Sequence, residues 1–337
     1  MEESPQADTI RDSVDAMNLD EVAATQHHAF TATQARAVGH TWRTIAAAVG
    51  AGTWLEIVRG VYVVGAVYEA LDRDARHNCQ LHARLLVKKS GWAAARRSSV
   101  VLHGLPVIGF APERPQLRRD RGTSRTRGHD RHERVGSLSA AEVVQVDAVS
   151  TTSLIRTWAD FSAEEPFRSA VVLADALLRR DVSRDDLIAA SRTKTARDAA
   201  RFADPLAESA LESISRVACR TLELPIPRLQ IKVMYAGEEL ARVDGLWEKE
   251  NTIGQADGAL KYKDSSRVLK DKWQDERLES VGFEVVRWGW RDAWHPMLLK
   301  GRLLRGFERG RAQRIDPGVT LVQATLAESK RVWRRVA

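Results

Sequence analysis

Apolar and polar residues alternate along this chain with two different periods, and the changes of period mark its elements. In HHAFTATQARAVGHTWRTIAAAVGAGTWLEIVRGVYVV, two short helical patterns each follow a threonine. Thr31 is placed to cap a helix over 32–38, and Gly39 allows a sharp turn. Thr41 caps a second helix over 42–49 that ends at Gly50 and Gly52. Trp54, Ile57, Val58, Val61, Tyr62 and Val63 then set β-formers on both sides of Arg59-Gly60, as a hairpin requires. Residues 21–65 therefore predict a winged helix-turn-helix, and residues 66–204 a mixed α/β middle domain.

Further on, DPLAESALESISRVACRTLELPIP carries Leu211, Ile214, Val217, Ala218 and Leu222 at helical spacing, and the pattern stops before Pro225. Residues 240–247 and 252–256 read as strands joined by the polar loop 248–251. An amphipathic helix precedes a last strand over 283–288. That order predicts a third domain over 205–310 and a C-terminal extension over 311–337. The fold class expected is a multidomain α+β or α/β chain without internal repeats.

Length and composition narrow the classes. A chain of 337 residues accommodates two or three domains, each with its own core. A hydrophobic share of 44% beside 29% charged residues excludes a largely disordered polymer. No apolar run reaches the roughly 18–20 residues of a membrane helix. The acidic start MEESPQADTIRDSVD lacks the basic-then-apolar pattern of a secretion signal. Two distant cysteines, Cys79 and Cys219, exclude a disulfide scaffold and make a reducing cytoplasm the expected setting, with no membrane partner.

Charge changes the picture more than composition does. The net charge is +7, and its distribution is uneven. Residues 1–20 hold six acids and one base, the pattern of a flexible acidic tail. Residues 113–134 hold eight arginines against four acids among Pro, Gly, Ser and Thr, so they read as an exposed basic loop. Arg118, Arg119 and Arg121 are its candidate phosphate contacts; a solvated loop is the plainer reading.

In a helix-turn-helix the second helix enters the major groove. Thr41, Trp42, Arg43 and Thr44 are then the candidate DNA-reading residues, with Arg59 at the hairpin tip. The other reading is a protein-contact domain with Trp42 in its core. A second set of residues carries different chemistry. If the loop 248–251 closes a hairpin with Trp247 opposite Thr252, Asp244 falls opposite Gln255. Asp257 shares the face of Gln255 and stands opposite Arg242. With Glu212 on the preceding helix, Asp244, Gln255 and Asp257 form a catalytic candidate set. Oxygen donors gathered this way suit Mg²⁺, held by Asp244 and Asp257, and such a metal activates water for phosphodiester cleavage. Lys261 is placed to orient that water or neutralise developing charge. Taken singly, Asp257-Gly258 also reads as a strand-ending turn, Arg242 with Asp257 as an ion pair, and Glu212 as a solvated residue near Arg216. His77, Cys79 and His82 lack the further ligands of a zinc site, and His103 reads as a turn residue. Trp273, Trp288, Trp290 and Trp294 suit either base stacking or a core.

Two resemblances follow from these motifs. The helix pair, Gly52-Thr53-Trp54 and Arg59-Gly60-Val61-Tyr62, together with SSVVLHGLPV and VDAVSTTSLIRTWADF, resemble AbiEi-type antitoxins of type IV toxin–antitoxin systems. That resemblance implies DNA binding, transcriptional autoregulation and antagonism of a nucleotidyltransferase-like toxin; an oligomer of the chain is a further partner expectation. From about Leu206 to Trp288, the LES of the helix, VD, GQADG and DERLESVGFEVVRW resemble the PD-(D/E)XK nucleases close to very-short-patch-repair endonucleases. It implies a restriction-endonuclease-like fold with Glu212, Asp244 and position 255 on Mg²⁺, and Asp275 and Arg277 on a less directly catalytic helix. The family pattern has Glu where this chain has Gln255, and often His where it has Lys261. The expected function is therefore a DNA-binding regulator carrying an impaired nuclease fold. An active Mg²⁺-dependent DNA endonuclease and a non-catalytic adaptor are the alternatives.

Overall fold

Caps and turns, more than long apolar runs, define the first elements. The computed structural model describes residues 18–109, 112–120, 132–258 and 265–333. Most of the expected acidic tail, Arg121 and Lys261 thus lie outside the described residues. Asn18 accepts from the Glu21 N–H while Glu21 accepts from the Asn18 N–H, and this box starts α1, Leu19–Ala24. The short strand β1, Phe30–Thr31, leads into α2, Ala32–Ala37, where Thr31 and Gln34 repeat the device. Gly39, at φ +96°, turns the chain. Thr41 and Thr44 exchange the same reciprocal bonds at the start of α3, Trp42–Gly50. Antiparallel β2, Trp54–Val58, and β3, Val61–Val64, enclose Arg59-Gly60, and the sheet runs β1-β3-β2. Phe30, Ala35, Ile45, Trp54 and Tyr62 share one core, with Phe30 edge-on to Trp54 at 4.8 Å between ring centres.

The remainder of the first compact unit, which closes at Phe161, wraps helices on a second sheet. Helices α4, Gly65–Ala70, and α5, Arg73–Leu86, precede β4, Trp92–Ala94, and α6, Arg96–Leu102. Then come β5, Leu117–Asp120, β6, Glu133–Gly136, β7, Val143–Val146, β8, Val149–Thr152, and α7, Leu154–Phe161. The sheet order is β6-β5-β4-β8-β7. Its core holds Leu81, Ala94, Leu102, Leu117 and Val149. Buried hydroxyls need partners, and here they find one another: Ser99 Oγ lies 2.7 Å from both Thr151 Oγ1 and Thr157 Oγ1. His103 Nε2 sits 2.8 Å from the Thr152 carbonyl. The sequence stretches around LHGLP and VSTT therefore lock together as structure.

The second unit runs from Ser162. It starts with three helices, α8, Phe167–Arg179, α9, Arg184–Ala190, and α10, Lys194–Phe202, ahead of α11, Ala210–Thr221. Asp175 on α8 accepts from Ser213 Oγ at 2.7 Å and from Arg216 Nη1 at 3.1 Å, both on α11. This buried pair fastens α8 to α11 within the second compact unit, which begins at Ser162 and includes the composition shift near residue 205. Strands β9, Arg228–Tyr235, β10, Glu238–Trp247, and β11, Thr252–Ala256, follow. Helix α12, Ser265–Ser280, crosses to β12, Glu284–Trp288, which pairs in parallel with β11. Helices α13, Trp290–Trp294, and α14, Pro296–Arg311, lead to β13, Val319–Gln323, and α15, Leu326–Trp333. The order β12-β11-β10-β9-β13 takes β13, from the stretch expected as an extension, into the sheet edge. Ile231, Val233, Val243, Leu246, Ile253, Leu278 and Phe283 fill the core beneath. Two units with three sheets and surrounding helices make a mixed α+β chain. Among the described residues, no helix is long and apolar enough to cross a membrane.

Candidate functional site

The caps that start α3 decide what its first turn displays. Thr41 and Thr44 engage each other and the backbone, and Thr44 Oγ1 also lies 2.9 Å from the Thr41 carbonyl. Their hydroxyls thus hold the helix start. Ile45 turns inward, while Trp42 is 59% exposed and Arg43 lies in solvent. Trp42 is not a core residue. Arg36, from α2, places its guanidinium carbon 5.2 Å from the Trp42 ring centre. Arg59 is exposed at the hairpin tip, beside Gly60, whose N–H donates to Glu56 Oε1 at 2.8 Å. Arg36 was missed in sequence because it stands in the first helix of the pair; its spacing of six from Trp42 was the available signal.

The basic stretch behaves differently. Arg118 and Arg119 lie on strand β5, not in a loop. Arg118 reaches the Ser137 carbonyl at 3.2 Å and Asp160 at 3.5 Å, and Arg119 stacks over Trp92 at 5.3 Å. Both therefore have structural partners. His77 pairs with Ser98 Oγ at 2.9 Å, and burial lowers its pKa to about 4. Trp288 is buried and its indole donates to Ser215 Oγ, whereas Trp273 is exposed and Trp294 lies under Arg168.

In the second unit, strand register and the start of α11 place the residues expected as a catalytic set. Trp247 pairs with Thr252, Leu246 with Ile253 and Gly245 with Gly254, the register expected from the loop length. Asp244 Oδ2 accepts the Ala256 N–H at 2.8 Å, across to β11. Glu212, three residues into the capped start of α11, is buried. It accepts from Glu208 N at 2.9 Å, Ser209 Oγ at 2.7 Å and Gln230 Nε2 at 3.2 Å. Gln230 adopts φ +51° within β9, a strained conformation for a side-chain-bearing residue, and its amide is aimed at Glu212. Glu212 and Asp244 line one narrow cleft, partly open to solvent, whose other walls include Trp247, Trp288, Leu299 and Leu303. Gln255 is buried at register partner of Arg287 on β12.

The expected Arg242–Asp257 pair does not form. Arg242 makes a two-bond pair with Glu208, at 2.8 and 3.1 Å. Asp257 is held instead by Arg287 Nη1, at 3.0 and 3.1 Å, and the same guanidinium binds both oxygens of Asp275 at 2.7 Å. Parallel pairing with β12 puts Arg287 closer to Asp257 than the hairpin partner strand does. Likewise Arg216 turns to Asp175 and the Phe202 carbonyl, not to Glu212. Arg287 was legible only as a cation beside the valine pair of EVVRW.

Burial and like charge act together on Glu212. Burial, followed by the neighbouring Asp244 carboxylate, holds the Glu212 carboxyl well above the usual carboxylate range. A divalent ion of the Mg²⁺ type needs ionised oxygen donors. Gln255 carries no charge, and Asp257 shares the Arg287 guanidinium with Asp275. Among the described residues, no three His, Cys, Asp or Glu side chains gather as a metal-holding group.

No family profile matches the chain. Two uncharacterised proteins of Mycobacterium tuberculosis, from strains CDC 1551 and H37Rv, are each 31% identical to it over 117 residues. Those residues are 34% of this chain and 43% of each relative, so the match spans less than half the length of the curated relatives.

Proposed function

We propose that this chain is a DNA-binding transcriptional regulator of the AbiEi antitoxin kind, docking through an N-terminal winged helix and carrying a PD-(D/E)XK-like body whose site is impaired by Gln255. The observation that carries the reading is the exposed Trp42 and Arg43 on α3 with Arg59 on the adjoining hairpin. The order of α1, β1, α2, α3, β2 and β3 supports a winged helix, in which the second helix of the pair meets the major groove. The succession of α11, β9, β10, β11, α12 and β12 supports the nuclease-like body, and Gln255 in place of a carboxylate, with Asp257 tied to Arg287, supports a binding role over a cutting one. By the same reading the chain works in the cytoplasm against a nucleotidyltransferase-like toxin.

The test is a salt titration of the full-length protein on the duplex upstream of its own gene and on an unrelated duplex, with and without Mg²⁺. Tighter binding to the upstream duplex is expected, weakened by rising salt. Arg43→Ala should weaken it by roughly tenfold to a hundredfold if that arginine reads a base, with folding stability unchanged within about 0.5 kcal/mol. Absence of DNA binding at low salt would overturn the reading. Mg²⁺-dependent nicking abolished by Asp244→Ala would replace it with the endonuclease.

A further inference from the structure

The outward face of α3 is unusual in what it offers to a base. Its sequence is WRTIAAAVG, so it presents no Asn, Gln, Asp or Glu. Bidentate readout of adenine by an amide, and acceptance from cytosine by a carboxylate, are therefore absent from this helix. The Thr44 hydroxyl is engaged by the cap. What remains exposed is Trp42, Arg43, Ala46, Ala47 and, at the helix end, Gly50. Arg43 suits guanine; the rest of the face is apolar.

The charge around that apolar face points to its occupant. Arg36, Arg43 and Arg59 are exposed, and neither α2, ATQARA, nor α3 contains an acidic residue. Glu56 on the hairpin is turned back onto the Gly60 N–H. An exposed indole with a guanidinium on one face, among cations and without nearby carboxylates on its helices, suits a polyanion carrying apolar groups. Duplex DNA has that chemistry in its major groove, where the thymine C5-methyl is the apolar feature of the base edges.

Resting on the winged-helix reading above, we propose that Trp42 contacts thymine methyl groups in the major groove, with Arg36 as the positioning residue stacked on the indole. Sequence preference then comes chiefly from methyl positions and from guanine at Arg43.

The experiment selects duplexes from a randomised library with the full-length protein. The selected site is then resynthesised with deoxyuridine in place of thymidine, removing only methyl groups. Affinity should fall about fourfold for each contacted methyl, the value of one methylene-sized group removed from water. Trp42→Ala should bind the two duplexes alike. Arg36→Gln should blunt the discrimination and Arg36→Lys should restore it, because a lysine keeps a cation over the ring. Equal wild-type affinity for both duplexes would overturn the inference, as would salt-dependent binding that selects no preferred site; either leaves DNA binding itself intact. Failure to bind any duplex at low salt would instead remove the winged-helix reading on which it rests.

Discussion

The first turn of α3 and the Glu212–Asp244 cleft hold the two sets of residues that stand out in the sequence, and the fold treats them oppositely. At α3 the caps use the threonines and leave Trp42 and Arg43 facing outward. In the second unit, neighbours hold the carboxyl groups inward: Glu208, Ser209 and Gln230 on Glu212 in the cleft, and Arg287 on Asp257 at the end of β11. Side chains directed at solvent remain available to a macromolecule. Side chains satisfied by their own chain give stability and fixed shape, and a ligand must first displace those partners. The same residue types thus carry different meanings in the two places.

The comparison breaks first at the buried support of the cleft. Arg216 lies almost fully buried between Asp175 and the Phe202 carbonyl, and its removal leaves an unpaired buried carboxylate. Arg216→Met should therefore destabilise the second unit by about 3–5 kcal/mol. Urea unfolding of the full chain, followed by tryptophan fluorescence, checks this. A loss below about 1 kcal/mol would mean that the pair is not a structural support.

A pH series sharpens the same contrast. Glu212 has its folded pKa raised above the ordinary glutamate value of 4.5, first by burial and then by Asp244. Across the interval between those values, the folded chain holds a proton that the unfolded chain releases. The associated stability is complete below the ordinary value and is lost as pH rises through the folded one. Glu212→Gln removes this contribution. Its stability should vary less with pH from about 4.5 upward, while the wild type loses stability relative to it. Parallel urea midpoints for the two proteins across that range would contradict the assignment.

How far the sequence was readable follows the range of each interaction. The helix pair and the hairpin around Arg59-Gly60 depend on neighbours within a few residues, as does the Trp247–Thr252 register. These were legible. Partner choice was not. Arg242 has both Glu208 and Asp257 as plausible acids, and only the packing of α11 and β12 decides between them. The role of Asp175 was hidden for the same reason, since an aspartate on an apolar helix looks ordinary until Ser213 and Arg216 are placed beside it. Gln230 left no signal, because its positive φ belongs to the backbone.

The smallest effect tests whether the α3 caps are scaffold or contact. Thr41 Oγ1 accepts the Thr44 N–H at 3.2 Å, satisfying one donor that the helix start would otherwise leave open. Thr41→Ala should cost about 1 kcal/mol of stability in the first unit, whereas Thr41→Ser keeps the oxygen and should cost less. DNA affinity measured on the folded Thr41→Ser protein should match wild type, because the hydroxyl is occupied by the cap and not by a base. A Thr41→Ser protein with normal stability and weakened binding would show that the threonine methyl touches DNA. That result would place the contact surface one residue nearer the turn and extend the apolar readout assigned to Trp42.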